Sequence, residues 1–109
     1  MKRKPNRNPA SKHISVVNTL NAAMNRSRVN RVVVSELVGV PYIVMDKYLR
    51  KERNINDEEV ARRMLVTAQL LNKMTAKGIL PIEEEINMRL RTAVILEAIE
   101  QFINEGNHD

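Results

Sequence analysis

Apolar residues at Ile14, Val17, Leu20 and Met24 recur at intervals of three and four, with Val16 and Ala23 beside them. That spacing is one face of a helix, expected from about Lys12 to Asn25 with Ser11 as its cap. A shorter apolar pattern follows over Val32–Arg50. After the polar break Lys51-Glu52-Arg53-Asn54, either Asn56 or Asp57 can cap a long helix reaching about Lys77, with Gly78 just past its end. Its apolar positions are Val60, Met64, Leu65, Ala68, Leu70, Leu71 and Met74. Pro81 suits the first position of a last helix, Glu83, Glu84 and Glu85 suit its first turn, and the pattern runs to about Asn104 before Gly106. That last segment carries two apolar stripes. One is Ile86, Leu90, Ala93 and Val94; the other is Met88, Ile95, Ile99, Phe102 and Ile103, with Leu96 between. The run Val32-Val33-Val34 has no neighbouring strand to pair with and reads as a helix start. The expected class is all-α, with about five helices and no strand.

The middle segment predicts a particular arrangement. Gly39 separates Val34-Ser35-Glu36-Leu37-Val38 from Val40-Pro41-Tyr42-Ile43-Val44-Met45-Asp46-Lys47-Tyr48-Leu49-Arg50. A tight turn between two crossed helices needs a glycine for backbone freedom and a small residue, here Ser35, where the helices touch. Pro41 suits the start of the second helix. Val34, Val38, Val40, Met45 and Tyr48 or Leu49 then face a shared core. On Ser35-Glu36, Val38-Gly39-Val40-Pro41, Met45 and Lys47-Tyr48-Leu49-Arg50, the stretch resembles the helix-turn-helix of bacterial and phage DNA-binding regulators. It departs from that pattern at Ile43 and Val44, where small hydroxyl residues are usual, and at Asp46, an acid on the face that meets DNA.

Charge sharpens this picture. The chain of 109 residues has a net charge of +5. Residues 1–12 hold Lys2, Arg3, Lys4, Arg7 and Lys12 and no acid; residues 54–109 hold six basic against ten acidic side chains. Positive charge therefore collects in the N-terminal half, which a polyanion would approach. Residues 1–10, broken by Pro5 and Pro9, are too polar to form a core and are expected to be a flexible basic arm, or a plain solubility tail. Residues 11–109 are expected to be one domain, with the helix-turn-helix over about 31–52 and a dimerising helical hairpin over about 55–105. There is no cysteine, so no disulfide or thiolate metal site is available. Aromatic content of 3% argues against base-stacking surfaces for single strands or RNA. No apolar run reaches a membrane span. No nucleophile motif or phosphate loop occurs, so an enzyme, a cofactor or a metal is not expected.

The resemblance implies a second helix lying in the major groove, where Tyr42, Ile43, Asp46 and Lys47 are the base-reading candidates. Tyr42 can hydrogen-bond, Ile43 can meet a thymine methyl, and Asp46 can accept from cytosine or instead orient a neighbouring cation. Lys47 can donate to guanine. Phosphate-contact candidates are Lys2, Arg3, Lys4 and Arg7 in the arm, with Arg26, Arg28, Arg31 and Arg50. Met88, Ile95, Ile99, Phe102 and Ile103 are the candidates for a homodimer interface, since paired half-sites call for a two-fold. The expected function is a small sequence-specific binder of double-stranded DNA, a cytoplasmic, nucleoid-associated transcriptional regulator. The competing expectation is a helical protein that binds a host protein, such as part of the transcription machinery, through the apolar Tyr42-Ile43-Val44 face and the last helix.

Overall fold

The computed structural model describes residues 13–106, so the expectations placed on residues 1–12, including Lys2, Arg3, Lys4 and Arg7, lie outside the described residues. There are five helices: α1 Ile14–Ser27, α2 Arg31–Val38, α3 Tyr42–Leu49, α4 Glu58–Ala76 and α5 Met88–Asn104. No strand occurs among the described residues, and the chain is all-α. α1 packs chiefly along α4, while α2 lies against α3, α4 and α5. All five helices meet in one core that includes Leu20, Val34, Met45, Leu71 and Ile99, each almost completely buried. Removing each such side chain from water stabilises the fold by about 1.5–3 kcal/mol before entropy is counted.

The helix ends explain the chain's path. α1 closes on Arg28, which takes the left-handed conformation at φ 56, and buried Val29 then returns its N–H to the Met24 carbonyl at 3.1 Å. Asn30 starts α2 by accepting from the Val33 N–H at 3.1 Å. Its amide nitrogen also donates to Thr92 Oγ1 of α5 at 3.0 Å, so one side chain both caps α2 and ties it to the last helix. Asp57, rather than Asn56, caps α4, accepting from the Glu59 and Val60 N–H groups at 2.9 and 3.4 Å. Glu58 and Glu59 complement the positive end of that helix.

Two expectations are corrected in the last helix. It begins at Met88, not Pro81, because the Asn87 carboxamide caps it by accepting from Leu90 N–H at 2.9 Å. Before that cap the chain is held in an irregular path by buried Leu80 and by Arg91, whose Nη1 donates to the Ile82 carbonyl at 2.7 Å. Glu83, Glu84 and Glu85 are therefore exposed connection residues, not a first helical turn. The two stripes also exchange roles. Ile95, Ile99 and Phe102 are at most 3% exposed in this chain's own core, which corrects their assignment to a dimer interface. Leu90 and Ala93 face outward instead, on the same side as Glu97 and Glu100, so that back face is mixed and not an apolar seam. Met88 and Ile103 alone of the five candidates stay exposed, at 65% and 55%. α5 lies against α2.

Candidate nucleic-acid interface

The α2–turn–α3 unit is built from two eight-residue helices joined through Gly39, Val40 and Pro41. Gly39 adopts φ +87, a left-handed conformation that costs most side chains about 1–2 kcal/mol. There its N–H donates to the Ser35 carbonyl at 2.8 Å, and Val40 N–H donates to the same oxygen at 3.2 Å. Ser35 is buried where the turn folds back, with its hydroxyl donating to the Val32 carbonyl at 2.8 Å. Pro41 stands one place earlier than expected, as the residue before α3, with an extended ψ of 147. Other helices brace the unit. Arg63 of α4 donates to the Val38 carbonyl at 3.3 Å, and Asn21 of α1 donates to the Leu49 carbonyl at 3.1 Å, meeting two of the unpaired carbonyls at the helix ends.

This bracing fixes which face of α3 looks outward. Met45, Tyr48 and Leu49 are buried, and Val44 packs partly against the core. Tyr42 and Ile43 are 47% and 68% exposed, and Lys47 is exposed one turn on from Ile43. Spacings of three and four place Tyr42, Ile43, Asp46, Lys47 and Arg50 on one side of the helix. Lys47 has no ion-pair partner among the described residues. Asp46 is engaged: Arg31 Nε lies 3.1 Å from Oδ1, and Arg50 Nη1 lies 3.4 Å from Oδ2. Arg50 also reaches Glu52 at 3.0 Å. Asp46 thus bridges α2 and the end of α3.

No family model, curated protein or solved structure matches this chain.

The remaining phosphate candidates are dispersed. Arg26 Nη2 donates to Asn72 Oδ1 at 2.8 Å, which places it at the α1–α4 junction. Arg28 borders an open groove of about 380 Å³ with Met88 and Arg91 of α5. Arg31 and Arg50 are the pair brought to α3, and both are shared with acids. Asn30, Arg63 and Asn21 position this face but escaped the sequence reading. Asn30 had a signal, an N-cap residue type directly before an apolar helix pattern. Arg63 and Asn21 had none, because their acceptors lie 25 and 28 residues away in sequence. Among the described residues no group of three His, Cys, Asp or Glu side chains could hold a metal ion, and no helix is long and apolar enough to cross a membrane.

Proposed function

We propose that this chain is a small, sequence-specific double-stranded DNA-binding protein, a transcriptional regulator that uses α2 and α3 as a helix-turn-helix. The observation that carries the reading is the outward row Tyr42, Ile43 and Lys47, presented by a short helix whose opposite side is locked into the core. Such a helix can enter the major groove, where a lysine donates to guanine and an apolar side chain meets a thymine methyl. Three outward side chains read few base pairs, so useful discrimination calls for a second copy on a two-fold operator. That dimer does not use Ile95, Ile99 or Phe102, which the core already occupies. Work on DNA places the protein in the cytoplasm, at the nucleoid. Replacing Lys47 by alanine is expected to remove the preference for a selected site over scrambled duplex in a gel-shift titration. Undiminished discrimination would take Lys47 out of the interface.

One observation favours a second reading. Val32, Tyr42 and Ile43 are 45%, 47% and 68% exposed, apolar enough to serve a contact with a host protein such as part of the transcription machinery. Salt separates the two. Duplex affinity should fall steeply with ionic strength through counterion release, whereas an apolar protein contact should hardly respond.

A further inference from the structure

The acid on the α3 face has an unusual setting. The Asp46 side chain is 23% exposed and holds one guanidinium from α2 and one from the residue that caps the end of α3, Arg31 at 3.1 Å and Arg50 at 3.4 Å. Arg50 is shared in turn with Glu52 at 3.0 Å. Two cations and two anions therefore form a chain without net charge on the face that would meet phosphates. Lys47 stands outside that chain.

We infer that Asp46 is a specificity-determining residue, one that holds Arg31 and Arg50 back from phosphate unless a base amino group takes their place on its carboxylate. The inference rests on the DNA-binding reading above. Affinity for duplex of any sequence comes from cations neutralising phosphates. Here each arginine must leave Asp46 to do so, and the bare carboxylate is then left facing a polyanion. In the major groove cytosine N4 and adenine N6 carry amino donors that can satisfy it; guanine and thymine edges offer acceptors, which repel it. Asp46 therefore lowers affinity for every duplex, and least for one with a donor at the right step. A purely structural tie between α2 and α3 is the alternative. Arg31 and Arg50 are 43% and 56% exposed, so both can reach solvent or phosphate once Asp46 is removed, and a tie alone predicts no change in duplex affinity for a folded variant.

The test measures fluorescence anisotropy of two labelled duplexes over a salt series. One duplex has mixed sequence; the other is enriched by the wild-type protein from a random library. Asp46→Ala removes both charge and acceptors. Asp46→Asn keeps an oxygen for Arg31 and covers the case in which the alanine variant fails to fold, as circular dichroism would show. Both are expected to bind the mixed duplex about tenfold more tightly at about 0.1 M salt, with a salt slope steeper by about one to two, as expected for one or two added phosphate contacts. The ratio between the two duplexes should shrink. Wild-type binding with folded variants that are no tighter on mixed duplex would overturn the inference alone and leave Asp46 as a helix tie. A wild-type protein that binds neither duplex would instead remove the DNA reading, and this inference with it.

Discussion

Ile99 offers the sharpest check on the fold that positions α3. It is 1% exposed, between Ile95 at 0% and Phe102 at 3% on the inward face of α5. Ile99→Ala removes buried carbons in a helix held to α2 by the Asn30–Thr92 hydrogen bond. The lost transfer energy plus the cavity left behind should cost about 2–5 kcal/mol. A domain of this size has about 5–15 kcal/mol in total, so the loss is a large share. At about 4–8 °C per kcal/mol, even the lower part of that range lowers the melting temperature by about 10–20 °C. Urea unfolding followed by circular dichroism, at two protein concentrations, gives the measurement. A core residue loses the same free energy at both concentrations. A loss below about 0.5 kcal/mol, the ordinary range for surface positions, would refute the core assignment. So would a loss that shrinks on dilution, which is the behaviour of an interface.

Two further predictions concern the turn and the exposed charges. Gly39→Ala should destabilise by about 1–2 kcal/mol through backbone strain alone, because an added Cβ would meet Arg63 Nη1 at an ordinary 3.5 Å; an unchanged urea midpoint would contradict that account of the turn. Hydrogen bonds from Arg62 and then Arg63 hold the exposed Glu59 carboxyl at about 2, below its ordinary 4.5. A depressed carboxyl favours the folded state above its unfolded value, so the contribution is present above about pH 4.5 and fades toward about pH 2. Carboxyl NMR should find the wild-type midpoint near the lower value and a shift toward 4.5 in Arg62→Gln, Arg63→Gln; a wild-type midpoint near 4.5 would remove both pairs.

Much of this fold was legible because helices bury periodic faces. Val17, Leu20 and Met24 in α1, and Met64, Ala68, Leu71 and Met74 in α4, were expected inside and lie there. Gly39 and Gly78 were expected at helix ends and have positive φ, +87 and +78. The last helix misled for a physical reason. Glu83, Glu84 and Glu85 after Pro81 imitate a helix start, yet Leu80 is buried and Arg91 holds Ile82, so the chain cannot coil until Asn87. Its two stripes gave no sign of which would face inward, because that depends on α5 meeting α2, a contact between segments distant in sequence. Of the outward set on α3 that the helix-turn-helix resemblance implied, Tyr42, Ile43 and Lys47 are exposed. The Arg31–Asp46 pair was not legible, since it exists only once the turn at Gly39 brings α2 and α3 together.

The most direct test of the central claim is selection of duplexes from a random library, with wild type beside the Lys47→Ala, Arg50→Ala double variant. The account predicts a two-fold motif enriched by the wild type and lost in the variant. If neither protein enriches anything above a salt-sensitive background, the exposed face of α3 does not read DNA, and the account is contradicted at its centre.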